Sequence, residues 1–535
     1  MDDPFACFGE DSESEDEVIF DENLEKRRLN LLEKANVTRQ NVYDEIEDDK
    51  DVSEKAEDLL ELPSSVDVPF PSPLFLGPIQ VVQSDMIGGN RGYIATQDLP
   101  PGTLCLVEKP IFEWTDDQIG SELGIVSVIA ILQHNDAKNI IQQMESLYPT
   151  KTRVDELIRA KVNTESANEK IQVKDMIDIM EMQHSNGKEL QKALSLARQI
   201  NLEIDEIDIY RLLLAMRYNG FGSGIYLHFA MFNHDSNSNC IKFRPENSSK
   251  DEEDSPYTGY SEVRTTRLVR RGEALTIDYI EPREQSFSYK RFHLWDQHKF
   301  DIGGLDQTTN KQLQELDFID GKCPPSFRDR LERESLTFHI ENALKEFEDQ
   351  LHEIKMNWAL MSMLKDESEE ALKLFEHAKA LGEAAFELIH SAKEKLSNDS
   401  HVLIIRCGKL YLDVSEIVLE MGSKFAHYFS SSTFANIGGN MILKNCVWVC
   451  NQILPIQIKY YGSVHPDVAR TYHDLASNIN TMISQCPKVL YTCGIEDYSN
   501  FAKCQRLEAE YMKAFKHIDN LYPKDTKQKI VEFEK

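Results

Sequence analysis

What this chain has little of closes several classes of explanation. Long apolar runs are missing: the longest, Ile125 to Leu132, is interrupted by Ser127. A membrane-spanning helix needs about 20 apolar residues, so no membrane span is expected. Cysteine is sparse, ten in 535 residues, and no two stand in a CxxC pair. That pattern does not resemble a secreted disulfide framework, and reduced thiols are expected. Cys446 and Cys450 fall on one face of a helix, with no His or Cys pair nearby to complete a tetrahedral metal set, so they read as buried apolar residues. Basic charge is also short, 59 Lys and Arg against 91 Asp and Glu, a net of −32. With no basic stripe anywhere, direct nucleic-acid binding is not expected. The acid-rich start argues against a transit peptide and no signal peptide is evident, so the expected location is the cell interior, cytoplasmic or nuclear.

What is present divides the chain. The first 63 residues hold 22 acidic and 7 basic residues. Apolar burial there is too small to offset the entropy of ordering, so residues 1–66 are expected to be a disordered acidic tail. Ser12 and Ser14, set among acidic residues, resemble acid-directed kinase sites; the tail reads as a solvating segment or as an arm for a basic partner. Pro69, Pro71 and Pro73 form a stiff lead. Phe75 to Trp114 is strand-like, with β-branched and aromatic residues punctuated by Gly-Gly and Pro-Pro-Gly turns. From Thr115 to Met216 the apolar spacing is helical, in 123–133, 140–147, 154–162 and 207–216. Beyond Leu305 the helical pattern resumes in 327–364, 369–396, 402–429, 441–459, 468–483 and 501–518, with Pro455 expected to kink its helix. The fold class is therefore α+β.

Three strings carry the chemistry. They are Gly89-Asn90-Arg91-Gly92-Tyr93-Ile94-Ala95 with Glu108-Lys109-Pro110 behind it, then Asn233-His234-Asp235-Ser236-Asn237-Ser238-Asn239, then Gly272-Glu273-Ala274-Leu275-Thr276-Ile277-Asp278-Tyr279. In this order they resemble the signature motifs of SET-domain protein methyltransferases, a Gly-rich opening hairpin with an E-x-P corner, NHSCxPN and GEELTxxY. Asn219 to Tyr226 is similar to the NSF…GxGLY run of the SET and MYND branch, and Arg291 to Phe300 to its R…LxDQYxF run. The chain departs from that branch in having no Cys between Cys105 and Cys240, so the MYND finger is absent. Ser236, Ile302 and Gly304 stand where zinc-binding cysteines would fall, so no zinc is expected. Tyr460 to Ala469 resembles the loop between paired helices of tetratricopeptide-like repeats. The resemblance thus implies a β-rich SET fold in two parts, 67–114 and 216–300, split by a helical insert at 115–215 and followed by an all-α tetratricopeptide-like domain at 301–535.

The resemblance also implies an activity, methyl transfer from S-adenosylmethionine to a lysine of a protein substrate. It assigns Asn90, Arg91, Asn219, Asn233, His234, Tyr279 and Phe300 to the cofactor site, Tyr279 to catalysis, and His298 to the substrate channel, where the family has a tyrosine. The residue types suit the task. Amide side chains hold a zwitterion without adding net charge, and a guanidinium grips a carboxylate as a charged fork. A lysine ammonium with its pKa of about 10.4 cannot attack a methyl group, so the channel must favour the neutral amine. Gly272 and Glu273 read as turn residues, and Gly220, Gly222 and Gly224 as backbone-permissive positions. A second reading stays open: a SET fold kept for shape, with the helical domain binding a protein partner. Asp235, Ser238, His298 and the missing zinc ligands favour it; Asn219, Asn233, His234 and Tyr279 oppose it.

Overall fold

The strand-like stretch after Pro73 breaks into short strands, as its closely spaced glycines and prolines require. β1 (Phe75–Leu76), β2 (Ile79–Gln83), β3 (Arg91–Ala95), β4 (Leu104–Glu108) and β5 (Phe112–Glu113) precede the insert. After it come β6 (Gly220–Phe221), β7 (Gly224–Ile225), β8 (Asn233–His234), β9 (Cys240–Phe243), β10 (Ser261–Thr265) and β11 (Thr276–Ile277). This computed structural model describes residues 62–83, 91–113, 125–150, 187–221, 224–243, 260–280, 283–286, 289–290, 293–294, 336–364, 369–396, 401–425, 439–485 and 501–522. Residues from Pro63 onward belong to one unit. Nearly all of the acidic tail, the 154–162 segment and Gly222 lie outside the described residues.

The strands form small sheets. The largest has the order β1-β4-β10-β9, all antiparallel, with Val107 opposite Phe75 on one side of β4 and Glu262 on the other. β4 and β10 are the inner strands and every residue of both is buried. β2 pairs with β3, and β5, β7 and β6 form a third sheet. The core between them is made of Tyr93, Leu106, Phe229, Phe232, Val263 and Ile277, among others.

The insert supplies α1 (Ile125–Gln133), α2 (Ala137–Met144), α3 (Gly187–Gln199) and α4 (Glu206–Asn219). Three of these answer the periodicity. α3 was not anticipated because its buried face is Leu190, Ala193 and Ala197, too small to register as an apolar stripe. α4 starts on a reciprocal cap: the Asp205 carboxylate accepts from the Asp208 amide at 2.9 Å and the Asp208 carboxylate from the Asp205 amide at 3.1 Å. Such a cap is worth about 1 kcal/mol and fixes where the helix begins, and so where Asn219 ends it.

The C-terminal region contains α5 (Leu336–Leu364), α6 (Glu369–Lys395), α7 (Val402–Phe425), α8 (Gly439–Tyr461), α9 (Pro466–Gln485) and α10 (Phe501–Asp519). α8 runs across Pro455 rather than ending there; the buried neighbours Ile453 and Ile456 hold that turn in the core. None of the described helices is long and apolar enough to cross a membrane. The helical region meets the strands along a polar seam. Arg283 bonds His465 at 2.9 Å, Lys409 bridges Glu284 and Asp467, and the Tyr522 hydroxyl donates to Thr265 O at 3.3 Å.

Candidate functional site

The two later motifs are brought together by a parallel pairing. β8 lies beside β11 with Asn233 opposite Thr276 and His234 opposite Ile277. Parallel neighbours need a long crossover, and here β9 and β10 supply it. Asn239, the last residue of the first motif, fastens the crossing. It is 1% exposed. Its amide nitrogen donates to Ala274 O at 2.8 Å and Glu273 Oε1 at 3.1 Å, while its oxygen accepts from the Thr276 amide at 2.9 Å. Gly272 turns the chain with φ +83°, and its amide bonds Ala95 O. Gly272 and Glu273 are thus turn residues, as their position suggested.

Glu108 of the E-x-P corner is buried, and its carboxylate accepts from the amides of Leu227, His228 and Phe229 at 2.9 to 3.1 Å. It therefore shapes the segment that delivers Asn233. Burial pushes its pKa up to about 7, against the lowering effect of those amides and of Lys242. His228 Nε2 lies 2.9 Å from Pro71 O and must donate there, which leaves Nδ1 to accept from the Tyr93 hydroxyl at 2.7 Å. Phe221, Tyr226 and Phe229 pack edge to face. The Lys242 ammonium sits 4.4 to 5.3 Å from their centroids, so this aromatic surface already accommodates a cation.

His234 and Tyr279 meet at the crossing, their rings 5.3 Å apart. The Tyr279 amide donates to His234 Nδ1 at 3.1 Å, and the Tyr279 hydroxyl donates to Phe232 O at 2.7 Å. An Nδ1 that accepts carries no proton, so the imidazole is neutral with its hydrogen on Nε2. Burial and the Lys290 charge hold its pKa down to about 3. The 3.6 Å approach of Asp278 Oδ1 to His234 Nδ1 is consequently not an ion pair. Asp278 instead pairs with Lys290 at 2.5 Å. Burial raises the Tyr279 phenol well above its ordinary range.

Asn233, His234 and Tyr279 are gathered in one place, and the Arg91 backbone joins them: Asn233 Nδ2 donates to Arg91 O at 3.3 Å. The Arg91 guanidinium donates to Ser146 O at 3.3 Å in the insert. Asn219 reaches the same insert segment, its amide nitrogen donating to Tyr148 O at 2.6 Å and to Ala215 O at 2.8 Å. Its donor side therefore fastens the insert, and only its oxygen is left for a ligand. Asn90, His298 and Phe300 lie outside the described residues. Sequence reasoning passed over Asn239, Asp278 and Lys290. The first two stood inside the motifs without a role, and Lys290 carried no signal at all. Among the described residues no three His, Cys, Asp or Glu side chains are grouped to hold a metal.

Comparison with known proteins identifies one domain. Residues 90–280 match the SET domain model. Among solved structures, the chain is similar to that described as the SET domain of LSMT bound to lysine and AdoHcy, at 14% identity and a TM-score of 0.27, over 69% of this chain and 94% of that one. No curated protein matches the chain in sequence.

Proposed function

We propose that the SET domain at residues 90–280 transfers a methyl group from S-adenosylmethionine to a lysine side chain of a protein. The observation that carries this reading is the β8–β11 crossing, which sets Asn233 and His234 against Tyr279. The residues present suit the cofactor. Asn233 offers an amide, the partly buried Arg91 guanidinium retains donors for a carboxylate beyond its bond to Ser146 O, and the neutral imidazole carries its hydrogen on Nε2, 3.3 Å from the Ser236 hydroxyl. Bound there, the cofactor supplies a sulfonium methyl group. Tyr279 does the positioning: its only proton is committed to Phe232 O, so toward an incoming amine its oxygen can act only as an acceptor. The aromatic surface of Phe221, Tyr226 and Phe229 holds the Lys242 ammonium; the substrate amine must instead lose its proton, which transfer out of water favours. Asn90, Phe300 and His298 complete the proposal as further cofactor and channel residues.

The six described C-terminal helices, read as tetratricopeptide-like, would border the substrate cleft and present the protein partner. The reading needs neither zinc nor nucleic acid; a location in the cytoplasm or nucleus, and a basic partner for the acidic tail, are proposed with it. Calorimetric titration of the full chain with S-adenosylmethionine tests it. Binding is expected, and Asn233→Ala or His234→Ala should each weaken it by more than about 1 kcal/mol through lost buried polar contacts. No binding by the unaltered chain would leave the scaffold reading in possession.

A further inference from the structure

Lys290 stands outside every recognised motif, yet its ammonium, 7% exposed, is bonded to Asp278, whose side chain is 2% exposed. Asp278 immediately precedes Tyr279. Its other oxygen accepts from the Ile280 amide at 3.0 Å and lies 3.6 Å from His234 Nδ1. A carboxylate so close to a nitrogen lone pair is unfavourable unless its charge is matched, because the proton that would turn repulsion into attraction is excluded while Nδ1 accepts from Tyr279. Lys290 supplies the match. With it, Nδ1 stays unprotonated and free to hold the Tyr279 amide. Without it, the buried Asp278 charge would draw a proton onto Nδ1, and the Tyr279 amide would lose its acceptor.

Lys290 is itself placed by the helical region. Its amide donates to Ser286 O at 2.9 Å, the Ser286 amide donates to Glu341 of α5 at 3.0 Å, and Arg406 of α7 donates to Gln285. We propose that Lys290 is a positioning residue: by occupying Asp278 it fixes the His234 tautomer and the Tyr279 backbone, and so lets α5 and α7 set the geometry of the SET site. The pair touches neither reacting group directly. Other groups near the imidazole include Asp235, whose charge acts on it against that of Lys290, and the Tyr279 ring; the Ser236 hydroxyl is 3.3 Å from Nε2. Only the consequence for cofactor binding rests on the methyltransferase reading.

The test uses full-length protein labelled with 15N-histidine, in which the nitrogen shifts report tautomer and protonation without any activity. In the unaltered chain the His234 signal, assigned by its loss in His234→Ala, should stay neutral with Nε2–H down to about pH 5. In Lys290→Met it should protonate at Nδ1 at a distinctly higher pH than in the unaltered chain, since burial still opposes the charge but the Lys290 repulsion is gone and Asp278 is left unmatched. Lys290→Arg and the double variant Asp278→Asn with Lys290→Met should restore the neutral tautomer. Lys290→Gln, which keeps a donor to Asp278 without the charge, gives a second reading should the methionine variant fail to fold. Affinity for S-adenosylmethionine in Lys290→Met should fall as pH drops through the raised His234 titration, in proportion to the neutral fraction that remains. The unaltered chain should not show this fall. A His234 that stays neutral in both Lys290→Met and Lys290→Gln overturns the proposal. Cofactor that binds no variant while His234 shifts as expected supports the positioning role and counts against the methyltransferase reading alone.

Discussion

Asn239 offers the sharpest test of how the site is built, since one buried amide joins the two motifs. Asn239→Ala removes three hydrogen bonds at once. Glu273 keeps Arg267 at 2.8 Å as a partner, so its carboxylate is not orphaned. Ala274 O and the Thr276 amide lose the partners they had in a part-buried setting. Each such orphan costs about 1 to 3 kcal/mol when fully buried; discounted for partial exposure, the sum is about 2 to 4 kcal/mol. Arg267→Ala is the natural comparison, because that ion pair is 42% and 31% exposed and such pairs contribute at most about 1 kcal/mol. The amide should therefore matter more than the ion pair. Urea unfolding of the full chain reads the difference, followed by tryptophan fluorescence and circular dichroism to check that one transition is seen. Asn237→Ala, at an exposed position of the same loop, should change stability by less than about 0.5 kcal/mol. An Asn239→Ala protein within about 1 kcal/mol of wild type would refute the claim that this amide holds the crossing.

Other outcomes follow from the same geometry. Glu108 is held near pKa 7 by burial, above its ordinary 4.5, so the folded state binds a proton that the unfolded state has released. Its contribution is present at low pH and is lost as pH rises between about 4.5 and 7, by about 3 kcal/mol; Glu108→Gln should lack this component of the pH–stability curve, and an unchanged curve would contradict the assignment. Gly102 has φ +82°, and a Cβ there would come within 2.3 Å of Leu521 O, so Gly102→Ala should cost about 2 kcal/mol or more by strain and clash. Gly187→Ala, with open space around it, should be neutral or stabilising by about 0.5 kcal/mol on thermal unfolding. Chelator treatment should leave the melting temperature unchanged and elemental analysis should find substoichiometric zinc; a stoichiometric metal would mean that the lost cysteine ligands had been replaced by others.

The site was legible where its residues sit next to one another in sequence. Asn233 and His234 face Thr276 to Tyr279 because backbone pairing, which any residue can make, follows the motif order. The strands at 75–114 and the six C-terminal helices were likewise readable from period and turn chemistry. What escaped was set by side chains meeting across long separations. Asn219 was assigned wholly to the cofactor, yet its amide nitrogen is spent on the insert carbonyls of Tyr148 and on Ala215, a use that no spacing could announce. Lys290 reaches Asp278 from a segment without periodicity. α3 stayed hidden because alanines bury little area while still packing at helical spacing. Glu108 was placed in its corner by resemblance, but its role as a cap on three successive amides needed the fold.

In the proposed reaction Tyr279, at the β8–β11 crossing, orients an amine for methyl transfer. The most direct measurement is transfer of a radiolabelled methyl group from S-adenosylmethionine to protein acceptors, run in parallel on wild type and Tyr279→Phe together with cofactor titration of each. Label on lysine is expected with wild type, and with Tyr279→Phe a loss of transfer far larger than any loss of cofactor affinity, since in the proposed reaction the hydroxyl acts on the amine and not on the cofactor's anchors. Tight cofactor binding by wild type without any labelled lysine, or full transfer by Tyr279→Phe, would contradict it.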